Sequence, residues 1–307
     1  MRMTEIRMSE IRTPEIDKLY NDVLSYRSTD QFKALLEFIK KFRHIAPYNA
    51  MLIHIQKPGS QFVTSAREWK YKYDRYIKPG ARPLVILQPF GPVAFVYEYN
   101  DTVGKPLPDS IIAPFKSETM IDESKLDKLI NNLKAEGVGV YFNDHGTNSA
   151  GWIEYHDEEN SLEMLIPNGI CHLKSHHSII VNNNLSPAEK YVTILHELGH
   201  LYCGHLYHDH KTEKWLPERF LLGLSSEQEE FEAETVCWLI CERLGICNPS
   251  AEYLSGYLLA NEKIPDVSID AILKAAGAIE TFTKLKTKER RKELVIDVVK
   301  YEQLSLF

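Results

Sequence analysis

The chain has 307 residues, of which 44% are hydrophobic and 26% charged, and its formal net charge is −7. These proportions are those of a globular protein and exclude a disordered chain, a collagen-like chain and a disulfide scaffold. Five cysteines, a small and odd number, indicate reduced thiols in a cytoplasmic protein. No apolar run reaches the roughly 18 residues of a membrane-spanning helix. Residues 1–12 lack the apolar run of a signal peptide.

Charge is divided unevenly along the chain. Basic residues outnumber acidic residues up to Phe115, and acidic residues predominate after it. This asymmetry, in a chain longer than one average domain, predicts two units with different partners. A stretch rich in proline and glycine at 102–115 is the predicted linker. We therefore expect one domain at residues 1–115 and a second at residues 116–307.

The first part is predicted to be helical with one pair of strands. Apolar residues at helical spacing and start signals such as Ser28 predict the helices, and a proline- and glycine-rich turn separates two apolar runs. The predicted helices cover residues 16–23, 28–42, 47–57 and 66–73, and the predicted strands cover 84–87 and 93–99.

The second part mixes strands and helices. Ser186-Pro187-Ala188-Glu189 is a capping box with proline at the first helical position, and Gly204 marks the end of that helix. Ser226 and Glu229 form the predicted capping box of the next helix. The predicted strands cover 139–142, 152–155, 162–166 and 178–181, and the predicted helices cover 123–135, 186–203, 226–244, 250–260, 266–282 and 288–301. The predicted fold class is α+β, with two domains.

The strongest chemical signal is His196-Glu197-Leu198-Gly199-His200, inside the helix that Ser186 begins. Histidines four residues apart lie on one helix face, where two imidazoles can bind one Zn²⁺ ion. Glu197 then lies beside the metal, where it can act as the general base that takes a proton from water. A chance pattern on an amphipathic helix is the alternative, and the helical context favours the metal site.

A catalytic zinc ion needs a third protein ligand and an open coordination position. Glu230 and Glu234 lie four residues apart on the next predicted helix. We expect Glu230 to be the third ligand and Glu234 to hold a ligand histidine from behind, whereas Glu232 points about 160° away. An acidic first turn favoured by the helix dipole is the alternative interpretation. His205, one short loop after the first helix, is not favoured as an oxyanion donor.

Basic and aromatic residues alternate between Lys57 and Arg82. Basic groups for phosphates and aromatic faces for bases are what single-stranded nucleic acid requires of a protein. The predicted contacts are Arg67, Trp69, Lys70, Lys72, Tyr73 and Lys78. The alternative is a solvated basic face whose aromatic residues pack in a small core. The pattern alone favours this alternative, and a family resemblance favours nucleic-acid binding.

The second part resembles the ImmA/IrrE family of metallopeptidases. The matching segments are 179–182, 193–201, Gly204-His205 and Glu230-x-Glu232-Ala233. The resemblance covers about residues 125–244. It implies a zincin-like fold with a zinc site of two histidines and one glutamate.

The whole chain also resembles ArdC-type antirestriction proteins. The matching residues are Asn49-Ala50-Met51-Leu52, Gln56, Phe62-Val63-Thr64, Trp69, 77–80, 84–99, Glu230, Glu234 and 239–246. This resemblance implies an N-terminal domain that binds single-stranded DNA and precedes a metallopeptidase-like domain.

These observations predict a zinc metallopeptidase with an accessory domain for single-stranded DNA, acting on a protein or peptide in mobile-element or phage defence. The strand near 178–182 is expected to be an edge that aligns an extended peptide. One alternative is a non-hydrolytic antirestriction factor that mimics or shields DNA and has a structural metal site. Another, implied by the ImmA resemblance, is a regulatory protease that cleaves one repressor. An open coordination position favours chemistry, and a fourth protein ligand favours a structural site.

Overall fold

The computed structural model describes residues 28–283, apart from 89–90, 109–110, 112–118, 145–148, 167–168, 209–215, 218 and 249–250, together with residues 295–300. The predicted helix at 16–23 lies outside the described residues. Helices and strands are mixed along the chain, so the predicted α+β class is confirmed. None of the described helices is both long and apolar enough to cross a bilayer.

The helices follow the predicted segments closely between residues 29 and 283. They are α1 (Thr29–Lys41), α2 (Pro47–Gln56), α3 (Ala66–Tyr73), α4 (Glu123–Ala135), α5 (Pro187–Cys203), α6 (Ser226–Leu244), α7 (Ala251–Ala260) and α8 (Ile269–Thr283).

The strands are longer in the second part than the sequence predicts. They are β1 (Val63–Thr64), β2 (Arg75–Ile77), β3 (Leu84–Gln88), β4 (Gly91–Glu98), β5 (Thr102–Gly104), β6 (Val138–Asn143), β7 (Gly151–Ile166), β8 (Gly169–Asn182) and β9 (Val295–Lys300).

The main sheet has the strand order β6-β8-β7, and β9 also pairs with β8. Strand β6 is parallel to β8, whereas β7 and β9 are antiparallel to it. The expectation of an edge strand near 178–182 is therefore wrong, because β8 lies between β6 and β7. Ile179, Ile180 and Val181 are all buried. A continuous apolar run of this kind is typical of a strand covered on both faces. Within the described residues, β6 and β7 each pair with β8 alone, so both are edge strands.

Strand β9 replaces the end of the helix predicted at 288–301. Its residues pair with the start of β8, in a register that places Gly169 opposite Lys300. The segment Val295-Ile296-Asp297-Val298-Val299 is rich in β-branched residues, which favour a strand once a partner is available. The helix prediction is therefore wrong over residues 295–300.

The first three residues of the predicted linker belong to a sheet. Strand β5 pairs antiparallel with β2, and the buried Arg75 donates hydrogen bonds to Thr102 and to the carbonyl oxygen of Gly104. The linker prediction is wrong for these residues, because Arg75 needs the carbonyl groups that β5 supplies. The division of the chain between residues 115 and 116 stays a prediction.

One hydrophobic core joins both parts of the chain. Buried residues of α1, α2, β3 and β4 pack in the same cluster as those of α5, α6 and α8. A second, small cluster of Phe62, Trp69 and Leu107 lies under α3. The N-terminal helices therefore cover the apolar faces of α6 and α8.

Arg243, in the last turn of α6, connects three helices. Its guanidinium pairs with the carboxylate of Glu280 on α8 and donates to the carbonyl oxygens of Ile39, Phe42 and Ile45, at 2.8, 3.1 and 2.8 Å. These carbonyl groups lie at and beyond the end of α1, where a helix leaves acceptors without partners. Both charged residues are buried, so the pair is screened little by solvent.

Replacing Arg243 with methionine removes the positive charge that pairs with the buried Glu280 carboxylate. We expect Arg243→Met to lower the free energy of unfolding by about 3–5 kcal/mol. Adding Glu280→Met should recover part of this loss, because the buried negative charge is then removed as well. The control is Lys274→Met, which removes an exposed ion pair with Asp270 and should change the free energy by less than about 1 kcal/mol. Urea denaturation measures all three variants. Equal stability of Arg243→Met and Lys274→Met would contradict the prediction.

Candidate functional site

Helix α5 carries the His-Glu-x-x-His motif, and its ends are as predicted. The Ser186 side chain accepts from the Glu189 N–H, the Glu189 carboxylate accepts from the Ser186 N–H, and Pro187 is the first helical residue. Gly204 ends the helix in the left-handed region, at φ 77°. The N–H of His205 then donates to the carbonyl oxygen of His200 at 3.0 Å. The chain thus folds back beside the last turn of α5.

The capping box of helix α6 lies one residue earlier than predicted. Ser225 and Gln228 form the box, where the sequence predicted Ser226 and Glu229. The amide oxygen of Gln228 accepts from the Ser225 N–H at 2.9 Å, as a carboxylate would. The shift leaves the faces of the following turns unchanged.

Helices α5 and α6 cross where Gly199 meets Ala233. A Cβ atom on Gly199 would lie 2.9 Å from both the Cα atom and the carbonyl oxygen of Ala233, closer than real Cβ contacts. Glycine therefore allows an approach that any other residue would prevent. This close crossing places the carboxylates of α6 opposite the histidines of α5.

Three donors converge beside the crossing. The Nε2 atoms of His196 and His200 lie 3.2 Å apart. The two carboxylate oxygens of Glu230 lie 3.4 Å from the His196 Nε2 and 3.6 Å from the His200 Nε2. These residues form a group whose ligand atoms are close enough to hold one metal ion. Two imidazoles and one carboxylate are ligands that divalent transition metals accept. The residues present therefore fit a metal centre.

Glu234 lies behind His196, on the other side of the imidazole. Its Oε2 atom accepts a hydrogen bond from the His196 Nδ1 at 3.1 Å, and its carboxylate is buried. A proton on Nδ1 leaves the lone pair of Nε2 free for a metal. Glu234 therefore occupies the position behind a ligand histidine that the sequence predicted for it.

The carboxylates of Glu230 and Glu234 stabilise positive charge at the candidate centre. Burial alone would lower the pKa of His196, but hydrogen bonds with Glu230 and Glu234 outweigh burial and raise that pKa to about 10. Burial and the charge of His196 lower the pKa of His200. The site thus favours a single centre of positive charge between the two imidazoles.

Glu197 faces the same cleft as the three donors. The cleft has a volume of about 620 Å³ and is also lined by Gly151, Trp152, Leu185 and Val192. Burial raises the pKa of Glu197 to about 7, despite the nearby charge of His196 and a backbone hydrogen bond from Ile153. A carboxylate with a pKa near neutrality can both accept and return a proton, as a general base must.

Two buried residues that the sequence did not assign to the site lie behind His200. The Nδ1 atom of His205 is 3.0 Å from the Nδ1 of His200, and the Nε2 of His205 is 3.0 Å from the Oε2 of Glu232. The signal in the sequence was a glutamate at every second position from 230 to 234. Helical geometry predicts that Glu232 points away from the metal position, but it does not predict that Glu232 contacts His205.

The structure therefore brings Glu197, His196, His200 and Glu230 together in one cleft, with Glu234 behind them. Their assignment as general base, ligands and supporting carboxylate stays a prediction, and the geometry supports it.

The basic residues predicted to contact nucleic acid lie on the surface. Arg67, Lys70 and Lys72 are exposed on α3, and Lys78 is exposed just after β2. The Nζ atom of Lys70 lies over the ring of Tyr71, 5.3 Å from its centre.

The two aromatic residues predicted there are less accessible. Trp69 is fully buried, and its indole N–H donates to the carbonyl oxygen of Tyr97 at 2.8 Å. Its predicted stacking on a base is therefore wrong, because its ring fills the small core with Phe62. Tyr73 is half-buried against both rings. Among the described residues of this region, the exposed large aromatic side chains are Tyr71 at 76%, Tyr76 at 54% and Phe95 at 57%.

Comparison with known proteins gives two matches. The sequence profile of the IrrE N-terminal-like domain, Peptidase_M78, matches residues 147–234. This segment contains α5, the start of α6 and all the residues of the candidate centre. The likeness to the ImmA/IrrE family is thus confirmed for these residues.

A solved structure is also similar, namely the antirestriction ArdC protein from the R388 plasmid in its Mn(II)-bound form. It is 16% identical to this chain, over 78% of this chain and 85% of that one, with a TM-score of 0.33. No curated protein sequence matches the chain.

Removing Glu230 should release most of the metal, whereas removing Glu234 should weaken binding about 10–100-fold, as loss of an orienting partner does. We propose to titrate Zn²⁺ into Glu230→Ala and Glu234→Ala in competition with a chelator. Glu227→Ala, on the exposed first turn of the same helix, is the control and should bind as the unaltered protein does. Normal affinity in Glu230→Ala, or a greater loss in Glu234→Ala, would reverse the assignment.

Proposed function

We propose that the chain is a zinc-dependent peptidase in which His196, His200 and Glu230 hold the metal and Glu197 is the general base. The open position of the centre carries this proposal. Within the part of the chain that the structure describes, the group around these histidines contains no fourth histidine, cysteine, aspartate or glutamate. The Glu230 side chain is 53% exposed, so the centre opens into the cleft.

Zinc is the metal we propose, because two imidazoles and a carboxylate with one free position are the ligand set of catalytic zinc. When bound, the ion supplies Lewis acidity that polarises a carbonyl group and makes water more acidic.

The residues of the chain perform the remaining steps. Glu197 accepts the proton of the attacking water and delivers it to the amine that leaves, so its carboxylate is unchanged after one cycle. Glu234 fixes the ring of His196 throughout. The Ile153 N–H bonds to Glu197 and limits the directions in which this carboxylate can turn.

An extended peptide is the proposed substrate, and β7 is the strand that would align it. Gly151 and Trp152, at the start of β7, line the cleft, and the next residue contacts Glu197. A peptide that pairs with a strand edge presents its backbone at a fixed distance from that strand. In this proposal β7 aligns the peptide, whereas the sequence predicted that the segment 178–182 would do so.

Glu197→Gln should retain zinc and lose peptide cleavage by about 10²–10⁴-fold, because an amide cannot accept the proton. Zinc content by mass spectrometry and cleavage of a peptide library measure the two effects. Glu227→Gln is the matched control on α6. Loss of zinc in Glu197→Gln, or undiminished cleavage, would contradict the role of Glu197. Wild-type protein that holds zinc and cleaves no peptide would favour the non-hydrolytic antirestriction alternative.

A second candidate function, binding of single-stranded DNA, is supported by the surface of α3 and β2. Exposed lysines alternate there with the exposed rings of Tyr71 and Tyr76. Lysines bind phosphates and aromatic rings stack on bases without sequence preference. The proposed contacts are therefore Arg67, Lys70, Lys72 and Lys78 with Tyr71 and Tyr76, and Trp69 is excluded.

Tyr71→Ala should weaken binding of single-stranded DNA to the full chain by about 1–3 kcal/mol if the ring stacks on a base. The matched control is Tyr141→Ala, an exposed tyrosine on β6. Fluorescence anisotropy at two salt concentrations measures both variants, and binding should fall as salt rises. No binding at low salt, or equal effects of the two substitutions, would restore the interpretation of a solvated basic face.

A further inference from the structure

The two candidate ligand histidines are supported differently. An imidazole that binds a metal through Nε2 must carry its proton on Nδ1. The Nδ1 of His196 meets a carboxylate, that of Glu234. The Nδ1 of His200 meets the Nδ1 of His205 at 3.0 Å. Two such nitrogens form a hydrogen bond only if one of them carries the proton and the other does not.

Glu232 decides which nitrogen carries the proton. The Nε2 of His205 lies 3.0 Å from the Oε2 of Glu232. An ionised carboxylate only accepts hydrogen bonds, so Nε2 of His205 must be the donor. In a neutral imidazole the other nitrogen is then an acceptor. The Nδ1 of His205 therefore accepts, and the Nδ1 of His200 donates.

Arg219 keeps Glu232 charged without a protonated His205. Its guanidinium binds both carboxylate oxygens, at 2.5 and 2.7 Å, and the Ser268 N–H donates to one of them at 2.7 Å. The charge of Glu232 is thus balanced by Arg219, and His205 can stay neutral. The same guanidinium excludes a second cation from the buried cluster of Cys203, His205 and Glu232.

Gly204 places His205 where this contact is possible. Its left-handed conformation turns the chain at the end of α5, and a Cβ atom there would overlap the carbonyl oxygen of Pro217. The rings of His200 and His205 then lie with their centres 5.1 Å apart at an angle of 71°. An edge-on approach of this kind directs one ring nitrogen at the other.

We propose that His205, held by Glu232 and Arg219, is a positioning residue that fixes the tautomer of His200 and leaves its Nε2 lone pair facing the metal position. The proposal rests on the metal centre proposed above. In this proposal His205 orients the ring of His200, as Glu234 orients the ring of His196.

Zinc affinity of the full chain tests the hydrogen bond. His205→Leu removes it, and we expect Zn²⁺ to bind about 10–100-fold more weakly in chelator competition. His205→Gln can accept from His200 and donate to Glu232, so it should restore most of the affinity. Unchanged affinity in His205→Leu overturns the proposal. Equal losses in both variants also overturn it, because side-chain shape would then be the cause.

The tautomer itself can be observed without any substitution, which covers the case that His205→Leu does not fold. Long-range ¹H–¹⁵N NMR of the ¹⁵N-histidine-labelled wild-type chain, free of metal, should show a proton on the Nδ1 of His200. A proton on Nε2 overturns the proposal. Wild-type protein that shows the Nδ1 proton and binds no Zn²⁺ supports this arrangement of the histidines and contradicts the metal centre alone.

Discussion

The contact between Gly199 and Ala233 is the constraint on which the candidate centre depends. Imidazole and carboxylate side chains bind a shared ion only at about 2 Å, so the helices that carry them must lie close together. The space at Gly199 holds no Cβ atom, since Ala233 lies 2.9 Å from where that atom would be. Glycine inside a helix destabilises it by roughly 1 kcal/mol relative to alanine. Its place between Leu198 and His200 is therefore explained by the crossing and not by helix formation.

At this crossing, three glutamates of α6 make three different sets of contacts. Glu230 and Glu234 share one face, one turn apart. Glu230 meets the Nε2 atoms of His196 and His200, and Glu234 meets the Nδ1 atom of His196. Glu232 points about 160° away from each of them at 100° per residue. It meets Arg219 and His205 instead. A buried carboxylate needs a partner, so Glu232 and Glu234 are each tied to a defined group. The three glutamates thus fix the rotation of α6 about its own axis.

The features that could be predicted from the sequence are those that depend on residues close to each other in the chain. The capping box of Ser186, the stop at Gly204 and the helix with its histidines all depend on residues within one or two turns. Contacts between distant segments were not predictable in this way. The burial of Trp69 depends on Leu107, and the partner of β9 lies more than a hundred residues earlier. His205 contacts Glu232 only because the chain turns back at Gly204 and α6 returns beside it.

The other end of α6 connects the candidate centre to the N-terminal part of the chain. Arg243 donates to carbonyl groups at the end of α1, while the apolar faces of α1 and α2 pack against α6 and α8. Separating the chain at residue 115 would expose these faces to water on both pieces, and burial of apolar surface is the main stabilising force in folding. DNA binding by the α3 surface is therefore a property to be measured on the full chain.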